Sequence, residues 1–372
     1  MPPGPNLPAL HRALVKLPGF AEVALDDLEL FPTKGLAHDH VALAGRAILL
    51  RVPRQSQWAL QAADNLAYQA ACFERVSASG RGPKLHGVIA PAPEIPLGAL
   101  AVERIDGRPP CLPGDLPALA EAMARVHALP LPPPEARPPL ADHRDPVGGA
   151  LREIEAQAAF LPEAKLEAES LAALQEELAW ARNFAARVAK QEMPQPRSLV
   201  LTDTHPGNFL ITAEGRAVIV DLEKALYGAP GIDLAHATVY SSTTWDPDSQ
   251  AVLNREEVAG FYRRYLAILA ETAGPARSAA LAPWLLPLRR ILFLRALTWC
   301  AKWRVQQTKT GGSDRPGARS TEDWSAENSD PALIAHVAGR VDDYLSPAAL
   351  ALMRADWAAD SPLRGALPGS LD

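Results

Sequence analysis

The stretch Ser198-Leu199-Val200-Leu201-Thr202-Asp203-Thr204-His205-Pro206-Gly207-Asn208-Phe209-Leu210-Ile211 decides the reading of this chain, together with its sequel Ala217-Val218-Ile219-Val220-Asp221-Leu222-Glu223. Two short runs rich in Val, Ile and Leu each end on or beside a carboxylate, and their composition predicts buried strands. Pro206-Gly207 makes a polar turn between them, and Glu214-Gly215 a second reversal. On that layout Asp203, Asn208 and Asp221 converge at one edge of a small hairpin. Three oxygen-bearing side chains at one place suit a hard divalent cation such as Mg2+, which takes oxygen ligands and keeps some waters.

Such a set fits phosphoryl transfer, which needs a carboxylate to orient or deprotonate the attacking hydroxyl and metal ions to offset phosphate charge. Asp203 stands five residues before Asn208, the spacing of a kinase catalytic loop. Asp221 sits at a strand end before a loop, as the kinase metal aspartate does. On these residues the stretch resembles the aminoglycoside phosphotransferase and choline-kinase-like family of small-molecule kinases, whose loop reads roughly His-Gly-Asp-x-His-x-x-Asn. Here the loop is Leu201-Thr202-Asp203-Thr204-His205-Pro206-Gly207-Asn208, followed by Val220-Asp221-Leu222-Glu223 and Gly231-Ile232-Asp233-Leu234-Ala235. All the carboxylates match, and the departures are Leu201 and Thr202.

The resemblance implies an α+β, two-lobed protein-kinase-like fold. Residues 1–107 would form a small nucleotide-binding lobe, a five-stranded antiparallel sheet with one helix. Residues 108–372 would form a larger, mainly helical lobe for catalysis and substrate binding. It further implies transfer of the γ-phosphoryl group of ATP, or of GTP, to a hydroxyl of a small molecule. Asp203 would orient or deprotonate that hydroxyl, His205 would support the loop, and Asn208 and Asp221 would hold Mg2+. Asp233 either caps the helix that follows it or braces the catalytic loop, and the two roles are compatible.

Two other functions fit parts of the pattern. Asp203-Thr204-His205 after a strand also suits a metal-dependent phosphoesterase, but beyond Asp233 the chain offers only His236 and His336, in no metal-ligand cluster. A nucleotide-binding pseudokinase without turnover is the other alternative. Taken singly, each of these polar residues reads as an ordinary turn or strand-end residue; five at these spacings do not.

The remaining features are consistent with a kinase. The chain has 372 residues, 48% of them hydrophobic, enough for a sizeable core and two or three domains. A net charge of −6 makes nucleic acid an unexpected partner. Cys72, Cys111 and Cys300 form no metal or disulfide pattern, which points to a reducing cytoplasm. The N-terminus lacks a signal design and no apolar run reaches membrane-spanning length, so a soluble protein is expected. Oligomeric state stays open.

Three strands are expected at 28–31, 39–43 and 47–52. The bend between the first two, at Gly35, takes the place of the nucleotide-covering loop in the resemblance. Arg51 ends the third strand where the family places a Lys or Arg on the nucleotide phosphates. A helix over 57–79 follows, with Gln69 or Glu74 as the partner of Arg51. Strands at 84–90 and 97–105 lead to Val102, Glu103 and Ile105, similar to the family's inter-lobe hinge beside the adenine. Residues 130–146, with seven prolines, read as an exposed linker or insert. Helices are expected at 116–129, 148–160, 163–190, 232–241, 255–273, 284–307 and 331–344, with a polar loop over 308–330. Trp245, Trp299 and Trp303 lie where relatives hold their acceptor, and either core packing or a cation–π site explains them. Glu223 either faces the cleft and holds the acceptor or pairs with Lys224 or a nearby Arg at the surface.

Overall fold

The computed structural model describes residues 4–32, 37–56, 58–309 and 331–371. Gly35 therefore lies outside the described residues, as does the expected polar loop from 310 onward. Helix α1 (Leu7–Leu14) comes first, capped by the Asn6 side chain, which accepts from the Ala9 amide at 3.1 Å. Its inward residues Leu10 and Leu14 are fully buried, each contributing about 1.5–3 kcal/mol by leaving water.

Strands β1 (Leu28–Phe31), β2 (His38–Leu43), β3 (Ile48–Pro53), β4 (Leu85–Ile89) and β5 (Ala99–Glu103) form one antiparallel sheet in the order β1-β2-β3-β5-β4. Gly45, at φ +69°, supplies the left-handed turn between β2 and β3. Side chains alternate across this sheet. Leu50, Ala99 and Ala101 face a small core with α1, while Leu100 and Val102 face helix α2 (Ala62–Ser77) and the larger core. Arg51 falls on the α2 face by the same alternation, with its guanidinium 5.4 Å from the Phe73 ring centre.

The rest is mostly helical: α3 (Leu116–His127), α4 (Pro146–Ala158), α5 (Ala168–Lys190), α6 (Pro230–His236), α7 (Tyr240–Thr243), α8 (Arg255–Ala273), α9 (Pro275–Lys309), α10 (Pro331–Tyr344), α11 (Pro347–Arg354) and α12 (Pro362–Ala366). Asn254 and Glu257 close a capping box on α8. Helix α9 starts earlier than the sequence leads one to expect, running through Pro283 and Pro287. An interior proline costs about 3 kcal/mol; burial of Trp284, Leu285, Leu286 and Leu288 against neighbouring helices offsets it. No helix among the described residues is long and apolar enough to cross a membrane.

Two expectations need correction here. The runs around Leu199 and Val218 do not pair with each other. Strand β6 (Ser198–Val200) pairs with β9 (Leu226–Gly228), and β7 (Phe209–Ile211) pairs with β8 (Ala217–Ile219). The turn Pro206–Asn208 opens a fresh strand, which takes the second run as its partner. Nor is 130–146 a plain exposed linker. Tyr227 donates its amide to Ala141 and accepts from His143, and Arg137 and Leu140 are buried. Prolines stiffen this insert, but backbone bonds to β9 hold it in place.

Candidate active site

The loop after β6 is held from below by Asp233 on α6, a fully buried carboxylate. It accepts the amides of Leu201 at 2.7 Å and Thr202 at 2.8 Å. His127 Nε2 lies 3.1 Å away, and the other ring nitrogen meets Tyr265 Oη at 2.9 Å. The Thr204 hydroxyl donates to the Asp233 carbonyl at 2.7 Å. Asp233 thus braces the loop from the first turn of α6, and it does not cap the helix, which starts after Ala229. The brace is needed because Thr202 sits at φ +62°, a strained conformation for a β-branched residue.

Fixed on both sides, Asp203 turns its carboxylate into the cleft. Oδ2 accepts from Lys224 Nζ at 2.7 Å, while His205 Nε2 and His236 Nδ1 lie 3.9 and 3.8 Å from Oδ1. Burial pushes the carboxyl up, but Lys224, His205 and His236 outweigh it and hold Asp203 well below the usual carboxylate range. His236 accepts the Thr204 amide on Nδ1 at 2.9 Å, and burial lowers its pKa to about 3. The ring is therefore neutral near pH 7.

Asn208 donates from Nδ2 to the Asp203 carbonyl at 2.8 Å, which turns its Oδ1 the other way. Asp221 follows β8 with its side chain 38% exposed. Two oxygen donors of this hard kind on one cleft suit Mg2+, which commonly takes one or two protein carboxylates or amides and fills its shell with water and phosphate.

Arg51, 6% exposed, converges on the same point from β3. Nη2 donates to Asp221 Oδ1 at 2.9 Å and to Glu223 Oε2 at 2.7 Å, and Nη1 donates to the Val220 carbonyl at 3.1 Å. Burial and the adjacent Asp221 charge push the Glu223 carboxyl up. The expected partner on α2 is therefore replaced: Gln69 meets His38 at 3.1 Å, and Glu74 is exposed. Charge for Arg51 comes from Asp221, and Glu223 supplies a second acceptor. Of the two readings of Glu223, the structure brings out the pairing with an arginine: the residue lines the cleft, 3% exposed, and binds Arg51.

These groups line one cleft of about 730 Å³. Toward the sheet its walls include Leu49, Val102, Glu103, Ile105 and Leu210. Toward the helices they include Trp245 and Trp299, edge-to-face at 6.4 Å, and Arg295, whose Nε lies 3.4 Å from Glu153. Trp303 is 5% exposed and belongs to the core.

Sequence reading missed Lys224, His236, His38 and Arg295 as cleft residues. A signal existed for His236, which lies three residues after Asp233 and so on the same helical face. For Lys224 the only signal was adjacency to Glu223.

The phosphotransferase enzyme family profile matches residues 33–281, which include every one of these groups except Arg295 and Trp299. The chain belongs to the phosphotransferase enzyme family. No curated protein matches it in sequence. Among solved structures, a choline/ethanolamine kinase family protein from Mesorhizobium loti is similar at TM-score 0.54 and 18% identity, over 97% of this chain and 98% of that one. Choline kinase from Cryptosporidium parvum gives 0.53 and 13% over 94% and 98%. A macrolide 2'-phosphotransferase from Brachybacterium faecium gives 0.51 and 15% over 86% and 96%. At these identities the likeness speaks for the fold, which this phosphotransferase shares with kinases: the N-terminal antiparallel sheet and the helical C-terminal part.

Proposed function

We propose that this phosphotransferase moves the γ-phosphoryl group of ATP, or of GTP, to a hydroxyl of a small molecule. What supports the reading is the convergence of Asp203, Asn208, Asp221 and Arg51 on one cleft, with Asp203 ionised and its backbone fixed on both sides. In this reading residues 1–107 form the nucleotide lobe and 108–372 the catalytic lobe. The base lies beside Val102, Glu103 and Ile105, and the acceptor lies against Trp245 and Trp299.

Asp203 accepts a hydrogen bond from the acceptor hydroxyl and aims its oxygen at the γ-phosphorus. As the new O–P bond forms, the bond to the bridging oxygen breaks and the nucleoside diphosphate leaves with that electron pair. The hydroxyl proton passes to Asp203 Oδ1. Because Lys224 makes Asp203 a weak base, orientation comes first and proton transfer late. Asn208 Oδ1 and Asp221 would hold Mg2+, whose chemistry is to offset phosphate charge.

Replacing Asp203 by Asn should lower turnover by about 10²–10⁴-fold while leaving nucleotide affinity nearly intact. An unchanged rate would refute the role. Magnesium-dependent ATP consumption across hydroxylated compounds, including choline, ethanolamine, aminoglycosides and macrolides, identifies the acceptor. Consumption that persists in excess EDTA sinks the metal assignment.

A further inference from the structure

A guanidinium as buried as that of Arg51 needs its direction fixed as well as its charge matched. Asp221 matches the charge and Glu223 adds an acceptor, yet neither belongs to α2, the helix that packs Phe73 against Arg51. On that helix Gln69, 1% exposed, points to the same region. Between them stands His38, 4% exposed, on the strand beside β3. Its Nδ1 lies 3.3 Å from Arg51 Nη2, and its Nε2 lies 3.1 Å from Gln69 Oε1.

The polarity of this chain follows from Arg51 alone. A guanidinium only donates, so His38 Nδ1 accepts, as the longer branch of a bond that Nη2 shares with its two carboxyl partners. The proton of the neutral ring is then on Nε2, and Nε2–H donates to the Gln69 amide oxygen. Arg51, His38 and Gln69 thus form one directed run of hydrogen bonds from β3 to α2. A carboxylate at position 69 would set a further acidic group near a single guanidinium that already serves Asp221 and Glu223. A neutral chain ties helix to arginine without that repulsion.

We infer that His38 is a positioning residue: through Arg51–His38–Gln69, helix α2 sets the direction in which Arg51 meets the nucleotide phosphates. The inference rests on the phosphotransferase reading proposed above. It separates two jobs that one ion pair would combine. Asp221 neutralises Arg51, and the His38–Gln69 link aims it. A shift of α2 is thereby transmitted to the phosphate site through an imidazole.

The test compares the wild-type protein with His38→Leu, Gln69→Met and the double variant. Each is titrated with magnesium ADP and with adenosine in a calorimeter, with thermal melts alongside. Gln69→Met keeps the side chain's length and carries the test if Leu at 38 does not fold. Each single change should weaken ADP binding about tenfold, the size of one hydrogen bond to a charged group. Adenosine, which has no phosphate for Arg51 to hold, should bind as before. The double variant should lose no more than either single one, because either break opens the same chain. Unchanged ADP affinity in the folded variants, equal losses for ADP and adenosine, or additive losses would overturn the positioning role. A wild-type protein that binds neither ligand overturns the phosphotransferase reading along with it, whereas normal wild-type binding with unaffected variants sinks the positioning role alone.

Discussion

Asp203 and Lys224 form a pair whose effect is electrostatic before it is structural. The ammonium at 2.7 Å keeps the carboxylate ionised far into acid. A base must be deprotonated to work, so activity carried by Asp203 is lost only as pH falls through its depressed pKa. Lys224→Met removes the stabilising charge and lets burial raise that pKa. The acid limb of the kcat profile should therefore move to higher pH in this variant. A limb that stays in place would show that Lys224 does not control Asp203. Beneath this pair, Asp233 gathers three donors, two amides and the His127 ring, at full burial. Asp233→Asn puts an NH2 where an acceptor is needed and should lower stability by about 2 kcal/mol in urea titrations. Turnover should drop with it, since Thr202 then lacks its restraint. Only part of this was legible beforehand. Asp233 was, because its spacing marked it. The left-handed Thr202 was not, because threonine is a poor signal for a conformation that glycine adopts freely.

At the scale of elements, the strands of the N-terminal sheet could be read because each carries a short apolar run between turn residues. The pairing of β6 with β9 could not. Leu226–Gly228 is three residues long, and nothing local in it announces a strand. The partner of Arg51 was misjudged for a related reason: the resemblance puts a partner on the helix, at Gln69 or Glu74, but is silent about Glu223, which comes 172 residues after Arg51. Given the pairing seen, Glu223→Gln should raise the nucleotide KM more than the acceptor KM; the opposite split would return Glu223 to the acceptor side. Gly107 is a further test of how elements meet. Where the chain leaves the sheet, Arg108 exchanges backbone bonds with Ile211 at 3.0 and 2.8 Å. A Cβ at position 107 would stand 2.9 Å from the Ile211 carbonyl oxygen, which is backbone and yields little. Gly107→Ala should push 102–105 off its place and raise the nucleotide KM several-fold. Wild-type kinetics in that variant would mean that the crossing segment does not set the nucleotide end.

Across the whole molecule, α9 joins the cleft to the far end of the chain. Arg295 and Trp299 on its middle turns line the cleft. Earlier on the same helix Arg289, 1% exposed, donates from Nε to Asp356 Oδ2 at 2.8 Å and from Nη1 to Thr238 Oγ1 at 2.7 Å. Thr238 follows α6, and Asp356 follows α11, so one guanidinium ties three parts of the helical region together. Arg290 repeats the arrangement with Glu177 on α5, which Arg354 also binds. Such buried pairs are weak evidence of net stabilisation, but removing one partner strands the other charge away from water. Asp356→Ala should therefore cost about 3–5 kcal/mol by urea unfolding. The damage should reach function unequally. Position 356 is remote in sequence from Arg51, Val102 and the sheet, and the small core there is built from other residues. Loosening α9 displaces Arg295 and Trp299, so acceptor KM should rise while nucleotide affinity holds. A change of under 1 kcal/mol would mean that water reaches Arg289 once Asp356 is gone, and equal losses at both ends of the cleft would mean that α9 anchors the nucleotide side as well.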